Sequence, residues 1–224
     1  MPRPDFRLIE TLLWRRGVGI ALLARHRARL AGSARDLGFR FDPEAFEASL
    51  RAAVAEAAPE PGAEPAAEAL RVRLTLARDG ALEATAEPQP ATPPELAWTL
   101  VVSERRLEES DPLLRHKTSR RDLYDGERAR LLPGSGAQEV LFLNRAGRVA
   151  DGGITCLYAA DPAAPAVLRT PPLADGCLDS VLRAELLAAG RAREASLTLG
   201  DLRAAPALFV GNALRGLIRA RLAE

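Results

Sequence analysis

The chain has 224 residues, 47% of them apolar, and its 31 Lys plus Arg nearly balance 30 Asp plus Glu, for a formal net charge of +1. That length allows one large domain or two small ones with a buried core. Balanced charge argues against nucleic acid as the main partner, the absence of any run of about 18 apolar residues argues against a membrane span, and two cysteines with two histidines are too few for a disulfide framework or a Cys/His metal site, so no metal is expected.

The opening, Met1-Pro2-Arg3-Pro4-Asp5-Phe6, has no apolar signal core, and the expected compartment is the cytosol. Phe6 to Trp14 reads as a strand, with Gly19 to Leu22 as its hairpin partner. From Leu23 the spacing becomes helical, through Leu30, Ala34 and Leu37, and Gly38 closes the element. Asp42-Pro43-Glu44 opens a second helix, Ala45 to Ala58. Glu60 to Glu68 is a polar loop. Leu70 to Leu76 and Ala81 to Ala86 flank Asp79-Gly80, the signature of a hairpin. Four prolines between Glu87 and Pro94 mark a boundary, because proline cannot continue a sheet or helix interior.

Beyond that boundary Trp98 to Val102 is predicted as a strand, Glu104 to Asp111 as a charged loop, and Arg120 to Leu132 as helical. Further strands are predicted over Glu139 to Leu143, Arg148 to Asp151 and Ile154 to Tyr158, the last two separated by Gly152-Gly153. Leu178 to Ala189 reads as a helix stopped by Gly190, and Leu199 opens a short one. Ala207 to Val210 reads as a buried strand, and Asn212 to Leu222 as a final basic helix. No internal repeat is visible. The organisation expected is two α/β domains, 1–107 and 108–224.

Lys117 is the only lysine in the chain; all other basic side chains, the two histidines aside, are arginine. An arginine cannot be deprotonated near neutrality, whereas a lysine amine can be when it is desolvated or set among cations. His116, Arg115, Arg120 and Arg121 are such neighbours. Lys117 therefore reads as an amine kept for chemistry, with Schiff-base formation the leading candidate, against the plainer reading of a survivor in an Arg-biased composition.

Seven segments in order carry a resemblance: Leu8-Ile9-Glu10-Thr11; His26-Arg27-Ala28-Arg29-Leu30; His116-Lys117-Thr118 with Arg121; Asn144 to Tyr158; Thr170-Pro171-Pro172-Leu173; Arg183-Ala184-Glu185-Leu186-Leu187; and Gly211-Asn212-Ala213-Leu214-Arg215-Gly216. The chain resembles the class IV, pyridoxal-phosphate-dependent aminotransferases of fold type IV, and within them the aminodeoxychorismate lyase branch. The resemblance implies a two-domain α+β or α/β fold like that of D-amino-acid aminotransferase, with pyridoxal 5'-phosphate in the cleft between domains, and a homodimer acting on a small amino substrate. It makes Lys117 the Schiff-base lysine and Arg29 a phosphate anchor. The backbone N–H groups of Val181 and Leu182, at a helix start near Ser180, would hold the phosphate too, as would the Asn212-Ala213 turn. Asp151 would pair with the pyridine nitrogen, and Arg121 and Arg215 would bind substrate carboxylates. Three positions depart from the family pattern: Asp151 where glutamate is usual, Cys156 for asparagine, and Asp179-Ser180 for Pro-Gly. The function implied is 4-amino-4-deoxychorismate lyase, giving 4-aminobenzoate and pyruvate for folate synthesis. The alternatives are a branched-chain or D-amino-acid transaminase and a non-catalytic relative.

Overall fold

The computed structural model describes residues 6–57 and 68–223. Apart from Glu68, the expected loop from Glu60 to Glu68 lies outside them. The chain divides into two compact units, Met1–Ala91 with Lys117–Arg120, and Thr92–His116 with Arg121–Glu224. The division thus falls at the proline-rich stretch rather than after position 107, and it groups Lys117 with the first unit.

The first unit is one antiparallel sheet with two helices. Its strands are β1 (Leu8–Arg15), β2 (Gly19–Ile20), β3 (Ala69–Leu76) and β4 (Leu82–Pro88), in the order β2-β1-β3-β4. On β3 the residues Leu70, Val72, Leu74 and Leu76 are buried and those between them are not, the period-two pattern of a sheet with one covered face. Helix α1 (Leu23–Leu37) ends where Gly38, at φ 71°, returns its N–H to Ala34, and α2 (Pro43–Ala57) starts where Asp42 Oδ1 accepts the N–H groups of Glu44 and Ala45. Gly80 takes the positive φ, 98°, that the turn between β3 and β4 requires.

A short segment far along the chain completes this sheet. Ile9 N–H donates to Lys117 O at 2.8 Å, Ser119 N–H donates to Arg7 O at 2.9 Å, and Thr118 bridges Leu8 antiparallel. This pairing fixes the backbone of Lys117 beside the start of β1.

The second unit is an eight-stranded mixed sheet. Its strands are β5 (Ala97–Leu107), β6 (Glu139–Asn144), β7 (Val149–Gly152), β8 (Cys156–Ala160), β9 (Leu168–Thr170), β10 (Ala192–Glu194), β11 (Leu208–Asn212) and β12 (Gly216–Leu222), in the order β10-β9-β8-β11-β12-β5-β6-β7. With it are α3 (Asp122–Leu131), α4 (Val181–Ala188) and α5 (Leu199–Ala204). Alternation along β8 divides the core: Leu157 and Ala159 join Leu100, Leu141, Val210 and Ile218, while Cys156 and Tyr158 join Leu168, Cys177 and Leu186.

Two expectations are corrected here. The predicted helix Asn212 to Leu222 is instead the end of β11, a turn, and β12. Ile218 is buried while Arg219 and Arg221 are exposed, and this alternation suits a strand hydrogen-bonded to β11 on one side and β5 on the other. The predicted charged loop begins inside β5, which runs on to Leu107 past a register shift between Val102 and Arg106. Strands β9 and β10, three residues each, are too short to show a period. Among the described residues no helix is long and apolar enough to cross a membrane.

Candidate active site

In the first unit the site residues hang from two adjacent positions of β1. The N–H of Ile9 holds Lys117 O, and the side chain of Glu10 holds Arg29 from α1. The Glu10 carboxylate, 1% exposed, accepts Arg29 Nε at 2.9 Å and Nη2 at 2.6 Å, and its Oε2 meets His26 Nδ1 at 2.6 Å. Such a fork-to-carboxylate pair fixes the plane of the guanidinium as well as its position. Burial alone would push the Glu10 carboxyl up, but Arg29 and His26 more than offset it and hold it below the ordinary carboxylate range. His26 Nε2 is buried without a hydrogen-bond partner. Glu10 and His26 stood in the motifs read from the sequence but were given no role there, although one acid inside the apolar run Leu8 to Trp14 was a visible signal. Lys117 itself is half-buried.

In the second unit the centre is Asp151 on β7. It is 6% exposed; its Oδ2 accepts the N–H of Leu178 at 3.2 Å, and its Oδ1 is buried with no hydrogen-bond partner. Burial pushes this carboxyl well above its usual range, with the Cys156 thiol adding to the effect and the N–H groups of Leu178 and Gly152 opposing it. One carboxylate oxygen of Asp151 and the Sγ atoms of Cys156 and Cys177 lie within 4.8 Å of one another. The Cys156 thiol, also hydrogen-bonded to Ser180, is itself pushed up by Cys177 and by burial. Ser180, 5% exposed, is the N-cap residue of α4 but makes no side-chain cap, and Val181 and Leu182 follow it as the first residues of the helix. The leading N–H groups of any helix lack partners within it.

The turn after Asp151 is clasped from several sides. Gly153 O accepts Arg121 Nη2 at 2.5 Å, and Ile154 O accepts Asn212 Nδ2 at 3.1 Å. Glu139, fully buried on β6, accepts the N–H of Ile154 at 3.0 Å and the hydroxyl of Thr155 at 2.7 Å, and also pairs with Arg128. Gly152 leaves no room for a side chain, since a Cβ there would lie 2.4 Å from Thr155 O, and a Cβ on Gly153 would displace the Arg128 side chain, 2.7 Å away at Cδ. Arg121 also donates to Asp125 at 3.2 Å. Asn212 Oδ1 accepts the N–H groups of Leu214 and Arg215, so its side chain shapes the turn that holds Ala213, and the Arg215 guanidinium stands 5.9 Å from the Trp98 ring centroid. Arg183, buried on α4, binds Pro171 O and Glu194. Neither it nor Glu139 was singled out as a site residue from the sequence.

Lys117, through its backbone, and Arg29 of α1, through Glu10, are thus both held by β1 in one unit, while Asp151, Ser180 and the start of α4 cluster in the other. The amino-transferase class IV family model matches residues 7–223, and the chain belongs to that family. It is 45% identical to a proposed amino-acid aminotransferase from Mesorhizobium loti, with a TM-score of 0.88 over 98% of this chain and 100% of that one. The 4-amino-4-deoxychorismate lyase of Pseudomonas aeruginosa is similar at 26% identity and a TM-score of 0.76, over 96% of this chain and 82% of the other. Among curated proteins, the aminodeoxychorismate lyase of Saccharomyces cerevisiae is 32% identical over 136 residues, which are 54% of this chain and 36% of the yeast protein. The match therefore spans about a third of the length of that relative. The fold is that of the fold type IV aminotransferases.

Proposed function

We propose that the protein is a pyridoxal-phosphate enzyme whose reaction is that of 4-amino-4-deoxychorismate lyase, releasing 4-aminobenzoate and pyruvate in a step that serves folate synthesis. The observation that carries the cofactor assignment is Asp151 Oδ1, a buried carboxylate oxygen without a partner where the family pattern puts the acid for the pyridine nitrogen. An unsatisfied oxygen in that position costs free energy unless a ligand donor reaches it. The other residues suit the same group: Lys117 for the aldehyde, and Arg29 with the N–H groups of Val181 and Leu182, next to Ser180, and the Asn212-Ala213 turn for the phosphate. When bound, the cofactor supplies an electron sink for negative charge at the substrate carbon that bears nitrogen.

The chain's own residues then have separate tasks. Asp151, held above the usual carboxyl range, keeps its proton to higher pH than an ordinary acid and would hold the ring nitrogen protonated when the cofactor is bound. Glu10 occupies two of the five N–H donors of Arg29 and so orients the guanidinium toward a fixed direction. Lys117 Nζ would hold the cofactor aldehyde and, once free, would serve as the general base that takes the proton from the substrate carbon bearing nitrogen. Arginine guanidinium groups, with Arg121 and Arg215 the candidates, take the substrate carboxylates. From the family resemblance we also infer a cytosolic homodimer.

Lyase over transaminase is supported by the likeness to the yeast lyase and by Arg121 four residues after Lys117, with Asn212-Ala213-Leu214-Arg215-Gly216 near the end. A second reading, amino-acid transamination with Lys117 as proton shuttle, is favoured by the 45% identity to the Mesorhizobium loti protein. The purified chain loaded with pyridoxal phosphate separates them. Given 4-amino-4-deoxychorismate it should release fluorescent 4-aminobenzoate with equimolar pyruvate. A chain that makes neither, yet exchanges amino groups between an amino acid and a 2-oxo acid, is a transaminase.

A further inference from the structure

Cys156, at the start of β8, and Cys177, just after Gly176, are 2% and 0% exposed, and no disulfide joins them. With one oxygen of Asp151 they form a triangle of ligand atoms within 4.8 Å. Two features distinguish this triangle from ordinary packing. Asp151 is more than nine-tenths buried with an oxygen unpartnered, and the two thiols face each other beside it, Cys177 Sγ also donating to its neighbour's carbonyl, Leu178 O, at 3.2 Å. A tetrahedral d10 cation holds thiolates at about 2.3 Å and carboxylate oxygens at about 2.0–2.2 Å, which sets ligand atoms about 3.5–3.8 Å apart. Small side-chain adjustments, of the order of an ångström, close the triangle to that size. Two sulfurs and one oxygen suit a thiophilic ion and not Mg2+ or Ca2+, which take oxygen ligands in larger number.

We propose that Asp151, Cys156 and Cys177 bind one thiophilic d10 cation of the Zn2+ and Cd2+ class in the cofactor-free chain, and that this cation and pyridoxal phosphate exclude each other because both need Asp151. The exclusion rests on the cofactor reading above; the metal site does not. Binding deprotonates both thiols and Asp151 wherever these carry protons, releases the protons to solvent, and moves no electrons. Three anionic ligands around a divalent ion leave one negative charge.

The test titrates the full chain, stripped of cofactor and reduced, with Cd2+, following the ultraviolet thiolate-to-cadmium band at equilibrium. The band should saturate at one Cd2+ per chain, weaken about tenfold or more in Asp151→Asn, and be lost in Cys156→Ala and in Cys177→Ala, with each variant's near-ultraviolet circular dichroism matching the parent's. Absence of the band at stoichiometric Cd2+, or a band indifferent to Asp151→Asn, overturns the site. In a second arm, prior loading with pyridoxal phosphate should shift the Cd2+ curve to higher concentration. A full band in Asp151-dependent form with the cofactor still bound overturns the exclusion, and identifies the cofactor reading of Asp151 as the part that failed.

Discussion

Glu10 and Asp151 are both buried carboxylates on strands, yet their surroundings differ in the one respect that matters. Glu10 meets a bidentate guanidinium and an imidazole, and is held low; among the described residues Asp151 meets no cation, only the backbone N–H groups of Leu178 and Gly152 and two thiols, and is pushed high. Burial is the leading influence on each and acts in the same direction, so partners alone decide the outcome. A carboxylate whose partners are supplied by the protein builds the structure. One left with an unpaired oxygen, at an unsatisfied cost, marks a place where something from outside is expected.

The largest expected effect breaks the paired member. Glu10→Gln removes the carboxylate charge that pairs with the guanidinium of Arg29, only 10% exposed. The loss should be about 3–5 kcal/mol, read from urea unfolding at neutral pH. Asp151→Asn should do the reverse: the ligand-free chain unfolds at equal or higher urea, because no buried carboxyl is left there to ionise. Turnover with bound cofactor should nevertheless fall about 10²–10³-fold, the usual cost of removing one preorganised electrostatic contact. An Asn variant with parental turnover would show that the charge plays no part in the chemistry.

A third prediction tests the turn that aims Asp151. Gly152→Ala puts a methyl against Thr155 O, so the backbone must shift, at about 1–3 kcal/mol, and cofactor affinity should fall with stability. The smallest effect is in the pH profile of the ligand-free chain, where the two acids have opposite signs. The lowered Glu10 contributes stability that is present above the ordinary carboxylate range and lost as pH falls through its depressed value. The raised Asp151 favours the fold below that range, and this contribution is lost as pH rises through its elevated value. Denaturant midpoints measured against pH should therefore diverge: the deficit of Glu10→Gln shrinks in acid, and the advantage of Asp151→Asn grows as pH rises.

What the sequence made legible was local chemistry. Gly38, Asp42-Pro43 and Asp79-Gly80 each demand a particular backbone shape, and the elements they bound lie where they were expected. The solitary Lys117 and the ordered motifs pointed to the family that the matching model shows. What stayed hidden depends on distant partners. Lys117 joins the first unit only because Arg7 and Ile9 supply hydrogen bonds from over a hundred residues away, which no pattern around Lys117 encodes. Gly216 to Leu222 is a strand because β5 and β11 flank it, although its arginines also suit a helix face. Cys156 and Cys177 looked like two isolated thiols, since only the sheet and the turn at Gly176 bring them to Asp151.

The central claim, that Asp151 is the acid reserved for the cofactor's ring nitrogen, is tested most directly by nitrogen-15 NMR of the chain loaded with pyridoxal phosphate labelled at that nitrogen. In the parent the resonance should sit at the protonated position and hold there across neutral pH, and in Asp151→Asn it should move to the neutral-pyridine position with cofactor still bound. The same chemical shift in both proteins would mean that Asp151 does not hold that proton.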